Sequence, residues 1–211
     1  MTLKFSTPQT IPGTPVQDAE APTVARSGDR IFVLWHEFPP DFDPNNAQPD
    51  IFLARSLDNG ATFKPRINLS TTRTGASDRE VIAVSGSRVY VAWVEDGQVV
   101  FRRDKENDGQ FANVKTISDP GTVLEAMSDL RIVASGDTVC IAWSADVNGQ
   151  FEIFVARSTD AGDKFDLENI SANAGDSTAP SIVLRSDGKV FAAWKDNSGG
   201  NGAEIFFARQ Q

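Results

Sequence analysis

Tyr-Val-Ala-Trp, at Tyr90–Trp93, decides the reading of this chain, because the same stretch returns three more times. It is Phe-Val-Leu-Trp at Phe32–Trp35, Cys-Ile-Ala-Trp at Cys140–Trp143 and Phe-Ala-Ala-Trp at Phe191–Trp194, which puts the four Trp residues 58, 50 and 51 positions apart. Behind each Trp lies an apolar run closed by arginine: Ile51–Arg55, Val99–Arg103, Ile153–Arg157 and Ile205–Arg209. Ahead of each lies a short β-prone segment that ends in a Gly turn, at Thr23–Ala25, Val81–Val84, Ile132–Ala134 and Ile182–Leu184. In three units a fourth segment runs from Phe63, Phe111 or Phe165 to Leu69-Ser70, Ile117-Ser118 or Ile170-Ser171. No segment keeps a helical period, and four short strands at a period near 50 describe a propeller blade.

The Trp strands are apolar at four or five consecutive positions. Such runs, unlike an alternating pattern, require burial on both faces, as for a blade held between two others. A unit of this size cannot bury its own core and leans on its neighbours, so the chain reads as one domain. The fourth unit reaches Arg209 without a fourth segment, and Lys4–Ile11 (KFSTPQTI) has the matching pattern, with Phe5 in the Phe slot. The expected fold is therefore all-β: a closed four-bladed β-propeller with four antiparallel strands per blade, its N-terminal strand completing the last blade. Blades are expected at about 13–70, 71–118, 119–171 and 172–211 plus 1–12. Backbone hydrogen bonds between the two ends would close the ring and leave no bare sheet face.

The chain has 29 acidic and 20 basic residues, a net charge of −9. An acidic surface repels phosphate backbones, which excludes nucleic acid and anionic membranes as natural partners. No apolar run approaches the ~20 residues of a membrane span, and Met1 leads straight into the Lys4–Ile11 strand, so neither a span nor a signal peptide is expected. The single cysteine, Cys140, shares the slot of Phe32, Tyr90 and Phe191. It reads as a small core residue, with no disulfide framework and no redox motif.

Between the third and fourth segments, Ser56–Phe63 and Ser158–Phe165 both fit Ser-x-Asp-x-Gly-x-x-Phe. An Asp that accepts backbone N–H groups, a Gly free to take unusual angles and an aromatic folding back are the parts of a hairpin turn. Asp104–Phe111 is a degraded copy, with Asp108-Gly109 one position out of register. The motif resembles the Asp-box (BNR repeat) of the sialidase-like β-propeller superfamily, and with the Trp and arginine strands the resemblance covers nearly the whole chain. It implies that Asp58 and Asp160 serve the fold, on the face opposite an active site, and that the protein is exported or at the cell surface.

The resemblance does not extend to sialidase chemistry. Those enzymes have six blades, a Tyr nucleophile backed by Glu, an Asp acid/base and three Arg that clamp the substrate carboxylate. Here the only Tyr, Tyr90, sits mid-strand in the core slot, and Arg55, Arg103, Arg157 and Arg209 recur once per unit. All five read as structural, the Arg-Ile-Pro signature is missing, and no catalytic residues are assigned.

The blade order puts the loops between second and third segments on one face with the inter-blade connections. Candidate ligand-binding residues on that face are Asp18, Glu20, Glu37, Phe38, Asp41, Phe42, Asp43, Asp78, Glu95, Asp129, Asp146, Asp176 and Asp196. Four-fold repetition would bring the carboxylates toward the axis, where they form either a solvated acidic rim or a seat for a hard cation such as Ca²⁺. No cofactor is required. The longest loop, Glu37–Pro49, breaks the symmetry, as functional loops do. Its Asp41, Asp43 and Asn45 alternate as in a calcium loop, but Pro44 and Asn46 depart from that pattern. The sole histidine, His36, reads as a strand-end residue. The expected function is a monomeric, non-catalytic module that binds a glycan or protein ligand. The alternatives are a glycoside-active enzyme with carboxylates on the same face, and a structural or assembly propeller.

Overall fold

A computed structural model describes residues 3–13, 18–38, 49–70, 77–106, 108–119, 129–200 and 202–211. Among the described residues fifteen strands form four antiparallel sheets, each one a unit of the sequence repeat. The first blade holds β1 (Ala19–Ser27), β2 (Arg30–Glu37), β3 (Asp50–Ser56) and β4 (Ile67–Asn68). The second holds β5 (Ser77–Ser85), β6 (Arg88–Glu95), β7 (Gln98–Asp104) and β8 (Lys115–Thr116). The third holds β9 (Arg131–Ser135), β10 (Thr138–Val147), β11 (Gln150–Ser158) and β12 (Asp166–Asn169). The fourth holds β13 (Ser177–Leu184), β14 (Val190–Asp196) and β15 (Glu204–Arg209).

The Trp strands behave as their apolar runs require: in β6 every residue after Arg88 is buried. Blade-to-blade packing produces three cores. Phe32, Leu34 and Leu53 of blade one meet Val91 and Trp93 of blade two. Tyr90, Phe101 and Ile117 of blade two meet Ile141 and Trp143 of blade three. Cys140, Ile153 and Val155 of blade three meet Ala192 and Trp194 of blade four. Among the described residues no such core joins blade four to blade one.

The structure differs from the sequence reading in three places. Leu3–Thr10 are exposed and form no strand, and Gln9 Nε2 donates to the Gly60 carbonyl of blade one at 2.8 Å. The segment expected to complete the last blade joins no sheet, and the fourth sheet has three strands. The first strands of blades one, two and four are longer than their apolar cores. Each carries a bulge, between Glu20 and Thr23, Asp78 and Val81, or Thr178 and Ser181, at a residue with positive φ (Ala21, Arg79, Ala179). The outer strands shrink to two residues in blades one and two, although isolated backbone bonds still tie each segment to the third strand, as from Lys64 to Arg55 and from Leu69 to Ile51.

The Ser-x-Asp-x-Gly-x-x-Phe turn is the same in blades one and three. Ser56 Oγ donates to Asp58 Oδ1 at 2.7 Å and accepts the Gly60 N–H at 2.8 Å, while Asp58 accepts the Thr62 N–H at 2.8 Å. Ser158, Asp160, Gly162 and Lys164 repeat those bonds at 2.7, 2.8 and 2.9 Å. The hydrogen bonds from Thr62 hold the Asp58 carboxyl down at about 2. Blade two solves the problem differently. Asp104, in the Ser position and 2% exposed, accepts the N–H groups of Glu106 at 3.1 Å and Gly109 at 2.8 Å. Its carboxylate reaches one residue further than a hydroxyl, which accounts for the shifted Asp-Gly of that unit.

Candidate functional site

The acids of the loop face divide by what they touch. Glu37, Glu95 and Asp196 each stand two residues after the blade's Trp and accept its indole N–H, at 2.8, 2.9 and 3.1 Å. Side chains two apart on a strand share a face, so the carboxylate lies beside the buried ring. Glu37 also pairs with Arg66, whose guanidinium stacks 4.0 Å over the Phe52 ring. Asp196 is fully buried, and Ser177 Oγ and Asn173 Nδ2 each donate to it at 2.7 Å. Burial pushes its carboxyl up, but the bonds from Ser198, Ser177 and Asn173 outweigh burial and hold it well below the usual range. Blade three has Ala145 at this position, and there Trp143 Nε1 is buried without a hydrogen-bond partner.

Others serve the loops. Asp146 accepts the Gly149 N–H at 2.8 Å and Asp176 accepts the Phe151 N–H at 3.1 Å. Asp129 lies 3.5 Å from Arg131 on the surface. Asp18 offers its carbonyl to the Phe38 N–H at 3.1 Å. Asp41, Phe42 and Asp43 lie outside the described residues. Among the described residues no group of three His, Cys, Asp or Glu side chains is placed to hold a metal ion.

One set of side chains does converge, at the seam between blades one and two. His36, at the end of β2, places Nδ1 3.2 Å from both carboxylate oxygens of Glu80. Glu80 follows the Arg79 bulge on β5, and the positive φ there turns its side chain into the seam, where it is 1% exposed. On the outer side Glu20 lies 4.0 Å from His36 Nε2, and the Phe38 ring sits edge-on 5.6 Å from the imidazole. The hydrogen bond to Glu80 raises the His36 pKa against the opposing effect of burial, with Glu20 and Asp78 adding to the rise. Burial raises Asp78, against the nearby Arg79 and His36. A histidine and a carboxylic acid with displaced proton affinities, gathered at one seam with two further carboxylates and an aromatic ring, are what a ligand-binding or acid–base site is made of.

Glu20, Phe38 and Asp78 were legible as candidates in the sequence; His36 and Glu80 were not. The partner of His36 lies 44 residues away, and the available signal was Glu80 standing where Pro22 and Pro180 follow the other two bulges.

The tyrosine and the cysteine are built into cores. Tyr90 is fully buried, its hydroxyl donates to the Gly136 carbonyl at 3.0 Å, and burial pushes its pKa to about 12. Cys140 is fully buried as well, and burial pushes its thiol to about 12. The repeated arginines tie each blade to the next. Arg55 reaches the Asp108 carbonyl of blade two, Arg103 the Ala161 carbonyl of blade three at 2.5 Å, and Arg157 the Gly188 carbonyl of blade four at 3.1 Å.

Four antiparallel sheets of this build, packed face to face through their Trp strands, are the arrangement of β-propeller blades. In three dimensions the chain is similar to a Hadza microbial sialidase, with 15% identity and a TM-score of 0.63 over 91% of this chain and 44% of that one. It is also similar to Trypanosoma rangeli sialidase (12%, 0.60, 90% and 36%) and to a protein of unknown function from Dyadobacter fermentans (13%, 0.60, 97% and 64%). The chain thus spans between 36% and 64% of the length of these three proteins. No family model matches the chain, and no curated protein matches it in sequence. At these identities the likeness is one of fold.

Proposed function

We propose that this chain is a ligand-binding propeller module that takes up a glycan at the seam between blades one and two, without turning it over. The observation that carries the reading is the convergence of His36, Glu80, Asp78 and Glu20 beside the Phe38 ring. Sugars are held by carboxylate acceptors for their hydroxyls and by an apolar ring against their C–H face. The fold neighbours that are named as sialidases favour a glycan over other ligand classes. The surplus of carboxylates, with a net charge of −9, favours neutral or amino sugars over sialylated ones. Titration calorimetry against neutral, amine-bearing and sialylated oligosaccharides tests this. Binding of the first two classes, weakened at least about tenfold by Asp78→Ala or Phe38→Ala, is the expected result. Affinity untouched by both substitutions would sink it.

A second reading rests on Asp78. A carboxyl whose proton affinity is raised by burial is suited to act as a general acid beside a second carboxylate. Hydrolysis of a chromogenic glycoside, lost in Asp78→Asn with the fold intact, would replace the binding reading with an enzymatic one.

A further inference from the structure

We propose that the ligand of the seam between blades one and two is a neutral sugar held by one hydroxyl, which bridges His36 Nε2 and the Glu20 carboxylate only while the imidazole carries both of its protons. This rests on the glycan reading and narrows it, setting an uncharged sugar above an amine-bearing one.

The two ring nitrogens of His36 face different surroundings. Nδ1 lies 3.2 Å from each oxygen of Glu80, whose side chain is 1% exposed. A carboxylate only accepts hydrogen bonds, so Nδ1 keeps its proton whether the ring is charged or neutral. The proton that comes and goes is therefore the one on Nε2. Among the described residues no hydrogen bond reaches Nε2, and the Glu20 carboxylate stands 4.0 Å from it. That separation is too long for a direct hydrogen bond and right for one bridging atom. An oxygen about 2.8 Å from each end would see them about 90° apart, which suits a hydroxyl that accepts on a lone pair and donates along its O–H. Glu20 is 63% exposed, so the bridge is open to a ligand from its side. The Phe38 ring, edge-on 5.6 Å from the imidazole, offers apolar surface to the adjoining C–H groups of a sugar.

The proton count decides which ligand fits. With His36 charged, Nε2–H donates to the hydroxyl oxygen and the hydroxyl donates to Glu20, so every group is paired. With His36 neutral, Nε2 and Glu20 are both acceptors and compete for one hydrogen. An ammonium has the opposite need, because it only donates and is repelled by an imidazolium.

The other groups around the ring are engaged within the protein. On β5, Asp78 lies 3.6 Å from Arg79. On β6, Glu95 accepts from Trp93 at 2.9 Å and from Ser77 at 3.3 Å. On β3, the residue paired with His36 is the uncharged Ile51. The bond to Glu80 raises the His36 pKa against burial, with Glu20 and Asp78 adding to the rise, so the charged ring persists to higher pH than an ordinary imidazole. The arrangement also occurs once. The residue after the Trp is Val94, Ser144 or Lys195 in the other blades, and the counterparts of Glu20 opposite Val94 and Lys195 are Asp78 and Thr178.

Titration calorimetry tests this with uncharged oligosaccharides of glucose, xylose and mannose, and with aminoethyl glycosides of the same sugars. The pH series brackets the His36 titration followed by NMR. For the uncharged sugars, Kd should rise at least about tenfold as the pH passes upward through that titration, because a charge-assisted hydrogen bond is lost. Saturating sugar should in turn raise the imidazole midpoint by about one pH unit, the same factor read from the other ligand. Glu20→Ala, a change at an exposed side chain that should leave the fold intact, is expected to weaken binding below the midpoint and to flatten both dependences. Affinity that stays level across the titration overturns the inference, as does a midpoint that bound sugar leaves in place or lowers. Uptake of the aminoethyl glycosides alone, tightening as the pH rises, overturns it too, and in all three cases the glycan reading stands. No binding of any sugar at any pH removes both.

Discussion

The indole of Trp93 donates to the Glu95 carboxylate at 2.9 Å, two residues on along the same strand. Trp35 and Glu37 repeat the relationship at 2.8 Å, and Trp194 and Asp196 at 3.1 Å. A bulky ring buried between blades carries one polar atom into the core, and the acid at the strand end satisfies it. Acids that repeat with the Trp in three blades therefore answer a local hydrogen-bonding need, and the residues left for a ligand are those that do not repeat.

Asp196 is where this arrangement contributes most to stability. Asp196→Ala leaves the donors of Trp194, Ser177 and Asn173 buried without an acceptor, a loss of about 3 kcal/mol in urea unfolding. Because its folded pKa is depressed, its stabilisation is present above the ordinary carboxylate value and fades as the pH falls through the folded one. Asp196→Asn should flatten the acid limb of the stability profile while lowering the plateau.

His36 has the opposite sign. Its pKa is raised by the bond to Glu80, so its contribution is complete below the ordinary value of about 6.5 and is lost as the pH rises through the folded value. As the only histidine, it gives a single imidazole titration by NMR. Glu80→Gln should move that titration to lower pH and remove the loss of stability on the alkaline side. An unmoved titration would dissolve the pair.

Two glycines with positive φ should respond very differently to alanine. A Cβ at Gly162 would fall 2.5 Å from the Phe101 ring of blade two, whereas one at Gly86 meets nothing within 4 Å. Gly162→Ala is expected to cost about 3 kcal/mol, by overpacking together with backbone strain. Gly86→Ala bears the strain alone, about 1 kcal/mol. Paired thermal melts check the difference.

Cys140 should be inert. A fully buried thiol pushed to about 12 is neither accessible nor ionised at neutral pH. A thiol reagent should label it only at the rate of unfolding, and prompt labelling of the native protein would mean that the core between blades three and four opens.

The repeat itself was legible in the sequence. The four units, the Trp strands, the buried roles of Tyr90 and Cys140 and the turn at Ser56–Phe63 follow from period, apolar runs and turn chemistry, all local properties of the backbone. Two things were decided only by tertiary structure. Lys4–Ile11 has the pattern of an outer strand, but a pattern states what a segment fits and not which edge it reaches; here it joins no sheet. The seam of Glu20, His36, Phe38, Asp78 and Glu80 depends on a positive-φ bulge at Arg79 that turns one side chain inward. No run of residues announces a contact across 44 positions of chain. Periodicity fixes what repeats, and packing between blades fixes the exceptions.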